Sequence, residues 1–208
     1  MISVLLATRN PEKASILSRI FVGLTAHLAT MEFHTPLTEG CRVEPEEFGT
    51  VVDRARQKAV SHIRCCGLGK DIVVGSDDAF SIPSHYGNEV ICDSERVTNM
   101  ILGGGLPNGS IVLLVRAFWI LDTRSAPISP TYHSHCVTQL PFRFFCNPGN
   151  AQSVTSQRFS YPLSRVLGRL DGAGPVASDN MDVADAYYLQ HSDGLRAILS
   201  QVLAQKTD

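Results

Sequence analysis

Three short stretches hold the side chains that could act on a phosphate. In Thr8-Arg9-Asn10-Pro11-Glu12-Lys13, Asn10 is a good helix N-cap and Pro11 suits the first helical position. A helix starting there aims backbone N–H groups and Lys13 at one point, with the Thr8 hydroxyl beside them. Anions bind readily at such a place. Lys58 lies on a second expected helix, and Asp77 and Asp78 follow an apolar run. Cations neutralise a polyphosphate, while carboxylates hold Mg²⁺ and activate water for attack on phosphorus. The force of the set lies in its combination and order, since an Asp pair after a strand is often only the start of a loop.

Other candidates fall to simpler readings. Gly103–Gly109 lacks the dinucleotide-binding spacing and follows a helix, so it reads as loop, and Gly67-Leu68-Gly69-Lys70 lacks the phosphate-loop spacing and reads as a turn. His133 and His135 share one strand face, but no second cluster completes a metal site, which leaves a polar strand face. The six cysteines (41, 65, 66, 92, 136 and 146) include no CxxC pair, and the neighbours Cys65 and Cys66 bond to each other only with difficulty. Buried or semi-exposed free thiols are the expectation.

The elements that must position these groups alternate between strand and helix. Ile2–Ala7 is a continuous apolar run, the pattern of a strand buried on both faces. Ile16, Leu17, Ile20 and Phe21 then form a helical stripe. A polar stretch with Glu32 and Glu39 leads to a second helix that starts at Pro45-Glu46-Glu47. Its stripe is Phe48, Val51, Val52, Ala55, Ala59 and Ile63, running to about His62. Asp71–Asp78 reads as a buried strand ending in two carboxylates, where ligands bind in open α/β sheets. A short helix is expected over Ser94–Leu102, and strands over Ile111–Leu121 and around Ser134–Phe145. Asn147–Asp179 reads as loop with one helix near Ser164–Leu170, and Val183–Leu189 and a helix over Leu195–Leu203 close the chain.

Composition narrows the class. Lys+Arg of 18 against Asp+Glu of 20 excludes the strongly basic profile of a nucleic-acid binder. Hydrophobic residues at 44% with charged residues at 18% supply a core for an ordinary domain. No apolar run approaches the roughly 20 residues of a membrane span. MISVLLATRN lacks a positive n-region and a cleavage site, so a cytoplasmic chain without membrane contact is expected.

The motifs together resemble those of the Maf-type nucleoside triphosphate pyrophosphatases, a family that shares its fold with the inosine triphosphate pyrophosphatases. Leu6-Ala7-Thr8-Arg9-Asn10-Pro11-Glu12-Lys13 is similar to the Maf L-A-S-x-S-P-R-R, and fits the inosine triphosphatase opening as well. Pro45-Glu46-Glu47 and Ala55-Arg56-Gln57-Lys58-Ala59 resemble P-E-E and A-x-x-K-A. Ile72-Val73-Val74-Gly75-Ser76-Asp77-Asp78 resembles I-x-G-A-D-T, and Asn99-Met100-Ile101-Leu102 resembles the M-L-x-x-L-S-G helix end. Met181–Gln190 resembles D-K-A-G-A-Y-G-I-Q and tilts the likeness toward Maf, since the inosine triphosphatase G-F-G-Y-D-P motif is missing. The likeness covers most of residues 2–121 and 181–190.

The resemblance implies a single α/β domain over 1–208, with a long twisted mixed sheet flanked by helices, and a homodimer. It implies hydrolysis of a nucleoside triphosphate, canonical or modified, to the monophosphate and pyrophosphate with Mg²⁺ or Mn²⁺. Asp77 would be base and metal ligand and Glu32 a second metal or water ligand. Lys13 and Lys58 would clamp phosphates, helped by Thr8, Asn10 and first-turn amides, with Asp78 and Gln190 near the base or ribose. The chain departs from the Maf pattern at Glu12, which replaces an arginine, and at Cys92, which replaces a lysine. These two losses favour a rival reading, a nucleotide-binding protein that kept the fold without catalysis. An inosine/xanthosine triphosphate pyrophosphatase is the alternative within the enzyme class.

Overall fold

The apolar run at the start forms β1 (Ile2–Leu6), and Asn10 caps α1 (Pro11–Thr25) by accepting from the Lys13 amide at 3.0 Å. The computed structural model describes residues 1–87, 89–91, 96–97, 99–100, 104–124, 132–145, 167–172, 174 and 181–204. β2 (Met31–His34) follows, then α2 (Val51–Cys66), β3 (Ile72–Ser81), α3 (Pro83–Tyr86), β4 (Val90–Ile91), β5 (Ile111–Asp122), β6 (Tyr132–Phe144) and β7 (Leu167–Arg169). The helices α4 (Met181–Gln190) and α5 (Asp193–Ala204) close the described chain.

The strands join one sheet in the order β2-β1-β3-β5-β6-β7, with β4 paired to β3. β2 and β3 flank β1 in parallel, while β4 on β3 and β7 on β6 are antiparallel. The expected mixed α/β sheet with helices is therefore the architecture. Parallel strands buried on both faces need continuous apolar runs, and Val4, Leu5, Leu6, Ile72, Val73 and Val74 supply them at 1% exposure or less.

By internal contacts the chain divides into two compact units. The first holds Met1–Asp77, Arg116–Thr138 and Ser192–Asp208; the second holds Asp78–Val115 and Gln139–His191. In the first unit, Leu17, Ile20, Phe21 and Leu24 of α1 are buried, as are Leu195, Leu199 and Val202 of α5. In the second, Tyr187 of α4 lies against Phe142 of β6 and donates its hydroxyl hydrogen to the Pro141 carbonyl.

Several expectations need correction. α2 starts at Val51, not at Pro45-Glu46-Glu47: Thr50 and Asp53 form a reciprocal capping box, and Phe48 is left exposed before the helix. Met31–His34, read as part of a polar stretch, is a strand because its backbone pairs with β1. β3 does not end at its carboxylates but runs on to Ser81, where β4 pairs with it. Leu167–Arg169 is a strand where a helix was expected, because it pairs with Phe142–Phe144. Within the expected helix at 94–102, residues 96–97 and 99–100 are helical. The rest of that segment, Cys92, Cys146 and most of 147–179 lie outside the described residues. No helix of the described residues is long and apolar enough to cross a membrane.

Candidate active site

Gly75 decides where α2 lies. A Cβ on Gly75 would overlap the carbonyl oxygen of Ala55, so the helix backbone rests directly on the strand. Ala55 and Ala59, both fully buried, form the small-residue surface that permits this. Along a strand, alternate residues share a face, so Asp77 stands on the same side of β3 as Gly75. Arg54 and Lys58, one turn apart on α2, reach over it. Lys58 Nζ donates to Asp77 Oδ1, and Arg54 Nε lies 2.9 Å from Asp77 Oδ2. The Arg54 approach is coulombic rather than hydrogen-bonded, because its Nε–H is not directed at the oxygen and Asp77 Oδ2 receives no donor. Asp77 is buried, at 5% exposure.

A second carboxylate shares both cations. Glu47 Oε2 accepts from Arg54 at 2.6 Å, and Glu47 Oε1 lies 3.1 Å from Lys58 Nζ. Burial alone would raise the Glu47 carboxyl, but the Lys58 charge and the Arg54 hydrogen bond outweigh it and hold it below the usual carboxylate range. The result is a charge-balanced square of Arg54, Lys58, Glu47 and Asp77. Neither Arg54 nor Glu47 stood among the expected site residues. Arg54 had one usable signal, its i, i+4 spacing to Lys58 on one helix face.

The strand-to-helix turn borders the same place. The Ala7 amide donates to Val74 O at 2.8 Å, so the end of β1 lies level with the residues just before Ser76 and Asp77. Lys13, buried at 7% exposure, donates from Nζ to the Ser76 carbonyl at 3.1 Å. Thr8 Oγ1 accepts from the Asn10 amide at 3.2 Å, and Asn10 caps the Lys13 amide. Thr8 and Asn10 thus shape the turn, and the first-turn amide of Lys13 is already taken by the cap. Arg9 reaches across to Glu44 at 2.5 Å.

The structure brings Lys13, Lys58 and Asp77 to one place, and Glu32 does not join them. Its register partner is Ser3, whose amide donates to Asp71, just before the start of β3 and six residues ahead of Asp77. Six strand residues at about 3.3 Å each put it roughly 20 Å away along the sheet, where it lies 3.7 Å from His34. Glu47 is the second carboxylate at this place, since the stretch before α2 folds back over the helix's first turns. Asp78 and Gln190 belong to the second unit, Asp78 half-buried on β3 and Gln190 exposed at the end of α4.

The cysteines also differ from expectation. Cys41 and Cys65 form a disulfide, with Cα atoms 6.1 Å apart, within the range a bridge requires. The chain between β2 and α2 folds back on the helix's last turn, a proximity that 24 residues of separation conceal. Cys66 and Cys136 are free thiols as expected, and burial pushes Cys136 up to about 12.

No protein-family model matches the sequence. No curated protein matches it either. Solved structures do match in shape. A nucleoside-triphosphatase described as a dITP/XTP pyrophosphatase from Mycobacterium abscessus aligns with TM-score 0.56 and 18% identity, over 95% of this chain and 99% of that one. A HAM1 protein from Coxiella burnetii aligns with TM-score 0.62 and 14% identity, over 97% and 100%. The Staphylococcus aureus Ham1 protein gives 0.57 and 10%, over 96% and 98%. The chain has the fold of these proteins. The likeness is one of fold and does not single out the Maf branch.

Proposed function

We propose that this chain hydrolyses a nucleoside triphosphate to the monophosphate and pyrophosphate. The observation that carries the reading is a buried carboxylate, Asp77, with one oxygen lacking a donor, set beneath two cations and beside a third. It stands just beyond the end of β1, where ligands gather in open α/β sheets. The reaction consumes one water, which adds to the α-phosphorus as the bond to the β-phosphate bridging oxygen breaks. Asp77 Oδ2 takes the proton of the attacking water. Lys58 and Arg54 transfer part of their charge from the carboxylates to the phosphate oxygens, with Lys13 on the neighbouring side. Glu47 keeps that pair of cations in place and compensated before the substrate arrives.

A divalent cation fits this donor set. Lys58 Nζ, itself a cation, already bridges a carboxylate oxygen of Asp77 and one of Glu47. Mg²⁺ characteristically uses one or two carboxylates and completes its shell with phosphate and water. Asp77 and Glu47 would hold Mg²⁺ or Mn²⁺, which supplies charge neutralisation at the phosphates and a more acidic bound water.

The dITP/XTP description of the Mycobacterium abscessus protein favours inosine and xanthosine triphosphates as the first substrates to try. The Maf branch, with canonical or modified pyrimidine and guanine nucleotides, rests on the Met181–Gln190 likeness. Homodimer formation, a cytoplasmic setting and nucleotide contacts by Thr8, Asn10, Asp78 and Gln190 belong to this same proposal. The test is pyrophosphate release with Mg²⁺ or Mn²⁺ across ITP, XTP, UTP, dTTP and 7-methyl-GTP. Turnover that disappears in Asp77→Asn supports the reading and names the substrate. Absence of pyrophosphate with every nucleotide, while nucleotide still raises the melting temperature, would replace it with the binding-protein reading.

A further inference from the structure

At the far end of α2 the sulfur atoms of Cys41, Cys65 and Cys66 all lie within 4.8 Å of one another. Among the described residues this is the one group of three metal-competent side chains so close together. We propose that, once the Cys41–Cys65 disulfide is reduced, these three thiolates form a binding site for a soft divalent cation of the zinc kind, so that oxidation state decides whether the site exists. The inference does not depend on the hydrolase reading.

Spacing supports it. Four-coordinate Zn²⁺ holds each sulfur at about 2.3 Å, which sets neighbouring sulfurs about 3.8 Å apart. Breaking the disulfide obliges the Cys41 and Cys65 sulfurs to separate toward that distance, and Cys66 is already within reach. The backbone is held ready from both sides. Cys65 and Cys66 end α2, where the Gly67 amide donates to the His62 and Ile63 carbonyls at 3.0 and 3.1 Å. Cys41 follows Gly40, which adopts φ +67°, and its own amide donates to the Pro36 carbonyl at 2.8 Å.

The surroundings suit a metal that a reductant and solvent can reach. Cys41 and Cys66 are buried at 5% and 8% exposure against Ile63, Val73 and Leu121, whereas Cys65 is exposed and opens the trio to solution. A bound cation would neutralise the thiolates that hold it. Water is the candidate for a fourth ligand, since Glu39 is held by Lys70 at 3.1 Å and by His34 at 2.9 Å.

The reaction balances with a phosphine or dithiol reductant. Two electrons and two protons reach the Cys41 and Cys65 sulfurs as the phosphine and one water become phosphine oxide, or as the dithiol gives up its own two protons and becomes a disulfide. Metal binding then releases the thiol protons. The test titrates Zn²⁺ into the full chain, before and after phosphine reduction, against a chromophoric chelator. Mapping of maleimide-labelled peptides identifies the shielded cysteines. The expected result is one Zn²⁺ bound by the reduced chain, with Cys41, Cys65 and Cys66 all shielded, and no shielding of Cys66 by Zn²⁺ in the oxidised chain. Cys66→Ser leaves the disulfide intact, and Cys65→Ser changes an exposed position. Each should weaken Zn²⁺ binding in the reduced state by at least about tenfold, the lower end of what lost supporting contacts cost a metal site. Zn²⁺ that leaves the three thiols fully reactive, or that binds both variants as tightly as the parent, would overturn the proposal.

Discussion

Two buried aspartates in the first unit show how the same residue serves different ends. Asp122, at 4% exposure, closes a fork with Arg124: Oδ1 accepts from the Arg124 amide at 3.1 Å and from Nε at 3.0 Å, and Oδ2 accepts from a guanidinium nitrogen at 2.6 Å. That guanidinium also donates to the Val202 carbonyl in α5 at 2.5 Å, so the pair ties β5 to the last helix. Burial would raise the Asp122 carboxyl, but the Arg124 hydrogen bonds and charge hold it below its ordinary value. Asp77 is equally buried, yet its cations come from a distant helix and are shared with Glu47, and Oδ2 is left without a donor. A satisfied fork holds structure together. An open carboxylate under shared cations is poised to exchange partners.

The largest effect should come from removing the charge on the open member. Asp77→Asn should lower pyrophosphate release about a thousandfold, on the scale of a lost general base, while the denaturation midpoint shifts far less. Comparable turnover in the variant would move the reaction away from Asp77. Asp122→Asn should do the reverse. Breaking a buried pair and stranding Arg124 costs about 3 kcal/mol, read as a lower urea midpoint, with kcat per folded molecule unchanged. The same pair fixes the sign of a pH effect. Because the folded-state pKa of Asp122 is depressed, its stabilisation is present above the unfolded value, about 3.9, and is lost as pH falls through the folded value. Stability measured from pH 6 downward should therefore drop less steeply in Asp122→Asn than in the parent. Parallel acid limbs would show that the fork contributes nothing.

Gly75→Ala probes what sets the open site apart, its dependence on one close approach. A Cβ in the path of the Ala55 carbonyl must lift α2, at about 1–3 kcal/mol for an overpacked core position. Arg54 and Lys58 ride on that helix, so catalysis should fall about a hundredfold, as a misplacement near 1 Å can cause. Loss of stability with full activity would show that the cations find Asp77 without the glycine.

How far the site was legible follows from where each position is decided. Asn10, Pro11 and the β1 run are local signals, and the turn they mark holds Lys13 where expected. Lys58 and Asp77 were found through motif order, and the glycine two residues before Asp77 turns out to be what joins them. Arg54 has only the i, i+4 spacing to Lys58 to set it apart from the other charges on α2; the Gly75 contact is what turns that face toward the strand. Glu47 is hidden because Pro45-Glu46-Glu47 has the pattern of a helix start, whereas the Thr50 capping box leaves Glu47 outside the helix and folded back on it. Glu32 differs for the opposite reason: the resemblance makes it a ligand, but parallel pairing of β2 with β1 sets it level with Ser3, far along the sheet from Asp77. The disulfide, like the β2 strand, depends on a contact that no window of sequence contains.

The smallest effect expected bears on that capping box, which belongs to neither aspartate. Thr50 accepts from the Asp53 amide at 3.2 Å, and Asp53 accepts in return from the Thr50 amide at 3.0 Å. Replacing an N-cap threonine by alanine costs about 1 kcal/mol, so Thr50→Ala should lower the melting temperature by a few degrees. The cap fixes where α2 begins, but Gly75 fixes where its middle lies. The ion pairs to Asp77 should survive fraying of a single turn, and kcat/KM should change by less than about threefold. A fall in kcat/KM as large as that of Gly75→Ala would mean that the start of α2, with Glu47 just before it, positions the cations as strongly as the glycine contact does.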